Sequence, residues 1–155
     1  LVPTVFESER LIPVEELELP RHLKEEVKSY LDERRLLATR LETASPQYIP
    51  VSVEARIKVK AGSNTRQVAT DVEQRVFGYI IPMCGGPDEN GWPFGRSLSL
   101  SEIYAIIQGT DNIDYIEEAK LFPIKNGEHQ EATTKISIPP DSLLCSHKHE
   151  IVVEE

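Results

Sequence analysis

Val51, Val53, Ala55, Ile57 and Val59 alternate with Ser52, Glu54, Arg56, Lys58 and Lys60. A period of two predicts a strand with one buried and one wet face. On both sides of it the period becomes helical. Leu23, Val27, Tyr30 and Leu31 recur with Lys24, Glu25, Glu26 and Lys28 between them, which predicts an amphipathic helix from Pro20 onward with one buried stripe. Proline is acceptable ahead of or within a first turn, where its missing N–H has no partner to lose. Val68, Val72, Val76, Tyr79 and Ile80 form a second stripe, opened by Asn64 with Gln67 three residues on and stopped by Pro82. A third helix, Leu100 to about Gln108, opens on the capping-box spacing of Ser99 and Glu102, turns Ile103, Ile106 and Ile107 inward, and ends at Gly109 as a left-handed cap.

The remaining segments are extended or irregular. Ile113 to Phe122 reads as a strand whose alternation slips around Glu117 and Glu118, the mark of a bulge. Asn126-Gly127 predicts a turn, Ile136 and Ile138 a short strand closed by Pro139 and Pro140, and Leu143 to Cys145 and Ile151 to Val153 the last extended pieces. Leu36 to Leu41 either pairs with the first strand across the Ser45-Pro46 turn or extends the first helix. Leu1, Val2, Val5 and Phe6 suggest an edge strand, and the acidic Glu7 to Pro20 an extended connector. This order predicts an α+β fold: a ferredoxin-like split βαβ sandwich, helices on one face of a largely antiparallel sheet, with a short C-terminal strand extension. The expected organisation is a connector over residues 1–19, an α/β domain over 20–124 and the strand extension over 125–155.

Between the second and third helices lies a hook: Gly85, Gly86, Pro87, Asp88, Glu89, Asn90, Gly91, Trp92, Pro93, Phe94, Gly95. Its glycines permit positive φ and its prolines fix φ, so neither a helix nor a regular strand is expected there. The single Trp of the chain stands in it with Phe94 two residues on. Two large rings in a loop either fold back onto a core or fill a pocket on a partner.

The run GGPDENGWPFGRSLSLSEIYAII, together with Leu31, Asp32, Glu33, Arg34, Arg35, Leu36, Leu37, Ala38, Thr39, Arg40 and Leu41, then Tyr48 to Val59, Asp114, Tyr115 and Ile116, and Leu121, Phe122 and Pro123, resembles the C-terminal region of the baseplate J-like family. Members are baseplate assembly proteins of contractile phage tails and related extracellular contractile injection systems. The likeness runs from the first helix to the C-terminus, and the hook followed by LSEIYA is its most specific part. Family members are longer, so this chain is expected to be a terminal fragment, in keeping with the missing initiator Met. The resemblance implies a non-catalytic structural subunit, a wedge or ring component assembled in the cytoplasm into a tail-like particle. Its implied partners are other baseplate proteins and copies of itself, with no nucleic acid, membrane insertion, small-molecule substrate or cofactor. The candidate interface residues are Trp92 and Phe94 in the hook, Arg96 just after it, and Arg34 and Arg35 in the second matching motif. The charges at Asp32 to Arg35 also read as a solvated helix end with local pairs.

Composition narrows the choice of partners. The formal net charge of −9 on 155 residues disfavours a phosphate backbone or an anionic membrane. No apolar run approaches the roughly 20 residues that span a bilayer, and no signal-peptide pattern opens the chain. Two cysteines, Cys84 and Cys145, are too few for a disulfide scaffold and point to a reduced, cytoplasmic setting. Cys145, His147 and His149 would offer three metal ligands on one side of an extended segment, one short of a structural zinc set. Cys84 beside Gly85 and Gly86 has amides near it but no neighbouring base. The hook glycines lack the lysine and the strand-to-helix setting of a phosphate loop. No catalytic constellation is read. A small-ligand or metal-binding regulatory domain is the alternative function.

Overall fold

A computed structural model of the protein describes residues 20–36 and 38–154. The edge strand expected at Leu1 to Phe6, and the connector up to residue 19, lie outside the described residues. The elements in chain order are α1 (Arg21–Asp32), β1 (Gln47–Val59), α2 (Thr65–Tyr79), β2 (Leu98–Ser99), α3 (Leu100–Gln108), β3 (Ile113–Lys125), β4 (Glu128–His129), β5 (Lys135–Ile136), β6 (Ser142–Ser146) and β7 (Glu150–Glu154). The fold is α+β, with a mixed sheet and three helices among the described residues.

Strand β1 is the spine. Its alternation puts Val51, Val53, Ala55, Ile57 and Val59 on the buried face, where they meet Val68, Val72 and Val76 of α2 and Ile103 and Ile107 of α3. Each such fully buried aliphatic side chain contributes about 1.5–3 kcal/mol relative to exposure. Both helices therefore lie on one side, and Glu54, Arg56 and Lys58 line the other, where Ser52, expected to be wet, is instead buried with its hydroxyl donating to the Lys148 carbonyl. Antiparallel β3 takes one edge of β1. The register steps from Arg56 opposite Glu118 to Ile57 opposite Ile116, so Glu117 is the extra residue, and a second step skips Asp114. The slip read at Glu117 and Glu118 is thus a bulge that keeps the apolar positions of β3 on the core side.

Along the other edge β6 pairs parallel with the start of β1, Gln47 opposite Ser142 through Val51 opposite Ser146. Then β7 pairs parallel further on, Glu54 opposite Glu150 through Lys58 opposite Glu154. The C-terminal strands expected beside the sheet are therefore part of it. Asn126 and Gly127, at φ 54° and 79°, form the turn that brings β4 back onto β3.

Local chemistry explains the helix boundaries. Asn64 Oδ1 accepts from the Gln67 N–H at 3.2 Å to start α2. The Gln67 amide turns outward to Asp71 at 2.8 Å instead of completing a box. At α3 both halves of the Ser99–Glu102 box form.

Three expectations give way. Helix α1 forms where expected, yet no residue of it is buried. The stripe specifies a face without supplying a surface to cover it. Of the Leu36 to Leu41 stretch, the described residues (36 and 38–41) join neither β1 nor α1: the helix ends at Asp32, Leu36 is 80% exposed, and Ala38 takes a φ of 71° that stops either continuation. Gly109 caps α3 at φ −75°, right-handed, because its N–H still reaches the Ala105 carbonyl at 3.1 Å. No helix among the described residues is long and apolar enough to cross a membrane.

Candidate functional site

The hook is held by backbone bonds in a way its glycines make possible. After α2 the Gly86 N–H donates back to the Tyr79 carbonyl at 2.7 Å, Gly91 to the Gly85 carbonyl at 2.9 Å, and Trp92 to the Pro82 carbonyl at 2.9 Å. A Cβ on Gly85 would lie 2.4 Å from the Tyr79 carbonyl oxygen and 2.6 Å from that of Gly78, so only glycine lets the chain pass. Gly91 sits at φ 100° with the Pro82 carbonyl against the same space. At the far end the Gly95 N–H donates to the Ser142 carbonyl at 3.1 Å and ties the hook to β6.

Of the two positions open to the rings, each takes one. Trp92 is 3% exposed and belongs to the core. Its Nε1–H donates to the Arg96 carbonyl at 2.9 Å, its ring meets Tyr79 edge-on at 5.6 Å, and the Arg96 guanidinium covers it at 4.8 Å. Trp92 is thus the hook's anchor and offers no free docking ring. Phe94 is 51% exposed, projecting from a loop whose neighbours on both sides are fixed.

Beneath the hook a polar cluster locks it to the helices. Glu102 accepts from Arg96 Nη2, from the Tyr79 hydroxyl at 2.8 Å, and from the Ser99 N–H at 2.9 Å. Burial alone would raise the Glu102 carboxyl, but these donors outweigh it and hold it below the usual carboxylate range. Burial first, and then the facing Glu102, push the Tyr79 hydroxyl up to about 12. Arg96 therefore fixes the loop, with its side chain only 29% exposed. Sequence reasoning found the capping role of Glu102 and missed that the same carboxylate collects Tyr79 and Arg96. The pattern E102 with R96 and Y79 has no periodic signature.

Between the end of α2, the hook root and α3 lies a groove of about 530 Å³, walled by Gly78, Tyr79, Ile81, Gly86, Pro87 and Ile106, with Arg75, Cys84 and Glu89 at its margins. Its lining contains no histidine, so the exposed Cys84 thiol has no base in that groove. Arg34 and Arg35 lie at the end of α1, exposed and engaged locally. The Arg34 guanidinium stacks on Tyr30 at 3.7 Å, and Arg35 pairs with Asp32 at 2.8 Å.

The structure does not assemble Cys145, His147 and His149 as ligands. No group of three or more His, Cys, Asp or Glu side chains among the described residues is placed to hold a metal ion. The reason is that the chain leaves the sheet between β6 and β7 instead of running extended. Cys145 is buried in β6, where desolvation pushes its thiol up to about 12. His149 folds back to the edge of β1, and its Nδ1 accepts the Val53 N–H at 3.0 Å in place of a ladder carbonyl. His147 gives its own N–H to the Val51 carbonyl at 2.9 Å.

Ser146 Oγ lies 2.6 Å from His149 Nε2, which resembles a nucleophile and its base. The tautomer excludes that chemistry. An Nδ1 that accepts from Val53 leaves the proton on Nε2, so the ring donates to Ser146 and cannot take the serine proton. Burial, with His147 adding to it, pushes His149 down to about 4 and keeps the ring neutral.

The open face of the sheet carries paired charges: Lys58 with Glu154 at 3.1 Å, Lys120 with Glu118 at 3.0 Å, and Arg56 with Glu117 at 3.8 Å. Such partly exposed pairs contribute about 0–1 kcal/mol each and keep this sheet face polar. Comparison with known proteins adds no assignment: no family model matches the chain, and no curated protein matches it.

Proposed function

We propose that this chain is a non-catalytic structural subunit of the baseplate of a contractile, phage tail-like injection system, a wedge or ring component that works through protein–protein interfaces. The observation that carries the reading is the construction of the hook: a buried Trp92 beneath and a 51% exposed Phe94 above, on a loop pinned at both ends. A large ring held in place before docking loses little conformational entropy on binding, which is what an assembly contact requires. Its place between the second and third helices, within the stretch that resembles the baseplate J-like C-terminal region, adds to this. Assembly in the cytoplasm followed by incorporation into the particle belongs to the same reading.

The scaffold in this proposal is a variant of the ferredoxin-like arrangement. In support, β1 lies between an antiparallel strand and a parallel edge, and the two helices that pack on the sheet sit between β1 and β3 in the chain. The parallel edge comes from the C-terminus, and the hook occupies the stretch between the helices.

The test is incorporation. Chains carrying Phe94→Ser, with unchanged thermal stability, are expected to stay out of assembled baseplates separated by sedimentation, while wild type enters them. Equal incorporation overturns the reading. The alternative, a small-ligand regulatory domain, draws only on the groove of about 530 Å³, a volume within the roughly 300–1,000 Å³ of ligand pockets.

A further inference from the structure

Strands β6 and β7 share one edge of β1 but are held to it by different means. In β6 the side chains from Ser142 to Cys145 are all buried, whereas in β7 none is. From Ser146 to Glu154 the one buried side chain is His149, 4% exposed. Ile151 and Val153 only rest half-buried against the core, so an imidazole placed just before β7 is its deepest anchor.

That ring fills the gap where the chain leaves the sheet. Val51 opposite Ser146 is the last pair of β6, and Glu54 opposite Glu150 is the first of β7. Between them the Ser52 hydroxyl donates to the Lys148 carbonyl, and the Val53 N–H donates to His149 Nδ1 at 3.0 Å. Ser146 Oγ takes the other ring nitrogen at 2.6 Å. A neutral imidazole suits both partners, since one nitrogen accepts and the other donates. A protonated one donates from both, which sets Nδ1–H against the Val53 N–H, a backbone donor that cannot turn away. The surroundings offer the added charge no partner: β1 meets the ring with Val53, α2 with the Phe77 ring edge-on at 6.4 Å, and the nearby His147 opposes the proton.

We propose that His149 is a proton-operated latch on β7: protonation of the ring releases Glu150–Glu154 from β1 while β6 and the core stay folded. This inference does not depend on the proposed function. Release gives up little buried surface, as expected of a strand that opens as a local unit. It also bares the edge of β1 from Glu54 to Lys58, whose N–H and C=O groups then stand open to another strand. The free ring takes up the proton near its ordinary 6.5 and the latched ring only near 4, so opening rises as pH falls, by about twentyfold from pH 7 to pH 5.

Amide hydrogen exchange of the full chain, followed by NMR at pH 7 and pH 5 in low urea and corrected for the intrinsic pH dependence of exchange, is the test. Global unfolding frees His149 as well, so the order of exchange and its urea dependence matter as much as the change with pH. The amides from Ile151 to Val153 are expected to exchange ahead of those from Leu143 to Cys145, through an opening that responds weakly to urea because it exposes little surface. That opening is expected to be about twentyfold more frequent at pH 5. His149→Gln keeps an acceptor for the Val53 N–H and removes the titration, and should abolish the acceleration. Three results overturn the proposal. One is β7 and β6 exchanging together with the same urea dependence, which means that β7 leaves only when the whole chain unfolds. Another is a β7 that opens no faster at pH 5. The third is an acceleration in His149→Gln equal to that of wild type. The first two are read in wild type alone and decide the matter even where the variant does not fold.

Discussion

Replacing Trp92 by alanine tests whether the hook is built from beneath. The indole is 3% exposed, donates Nε1–H to the Arg96 carbonyl at 2.9 Å and meets Tyr79 edge-on at 5.6 Å. Truncating a buried Trp costs about 3–5 kcal/mol, part of it transfer and part the cavity left behind. The hydrogen bond is included in that range, since its loss leaves the Arg96 carbonyl short of a donor. For a chain of 155 residues, a loss of this size lowers Tm by on the order of 10 °C. Urea titration followed by circular dichroism is the assay, because the substitution removes the only Trp fluorophore. Trp92→Phe separates the contributions: it keeps most of the ring area and leaves the carbonyl unpaired, for a loss of about 1–2 kcal/mol. A Trp92→Ala chain that melts within about 2 °C of wild type would refute the placement of the indole in the core and return it to the surface as a docking ring.

Gly85→Ala is expected to cost about 1–3 kcal/mol, or to displace the hook, because its Cβ would meet three backbone carbonyl oxygens within 2.7 Å; denaturant titration reads the loss and amide exchange of Gly86 and Trp92 reads the displacement. Acid should weaken the fold through His149, whose pKa lies near 4 in the folded chain against an ordinary 6.5. The folded state disfavours the proton, so this stability is complete above pH 6.5 and is lost as pH falls towards 4, by at most about 3 kcal/mol. The groups facing the ring are Val53 of β1, Phe77 of α2, and Ser146 and His147, and His149→Gln should flatten that part of a pH-dependent urea series. Tyr79→Phe removes the donor to Glu102 and should cost about 1 kcal/mol, with the Glu102 carboxyl titrating closer to its ordinary range by NMR.

How much of this was readable in the residues depends on the range of the interaction. The alternation at β1, the caps at Asn64 and Ser99, and the slip at Glu117 are decided within a few residues by period and local hydrogen bonding. The slip and the Ser99 cap stand in the structure as read, whereas Ser52 of the expected wet face is buried with its hydroxyl on the Lys148 carbonyl, and Asn64 caps α2 without Gln67 reaching back. The stripe of α1 was read correctly as a stripe, but burial needs a second surface, and a periodic pattern does not say whether the same chain supplies it. The two separate extended pieces that became β6 and β7 were read, but not that the His149 imidazole between them takes the place of a ladder carbonyl. Read as an alternating segment, Cys145, His147 and His149 look like ligands in a row. Trp92 and Phe94 were indistinguishable as loop aromatics. What separates them is the Arg96 carbonyl and the Tyr79 ring, contacts made only once α2 and the segment entering α3 lie side by side.

The measurement that bears most directly on the hook as a docking element is sedimentation equilibrium of wild type and Phe94→Ser at matched temperature and salt. A projecting ring on a fixed loop predicts self-association weakened by about tenfold or more, with Tm unchanged because Phe94 is already 51% exposed. Equal association constants for the two chains would contradict it.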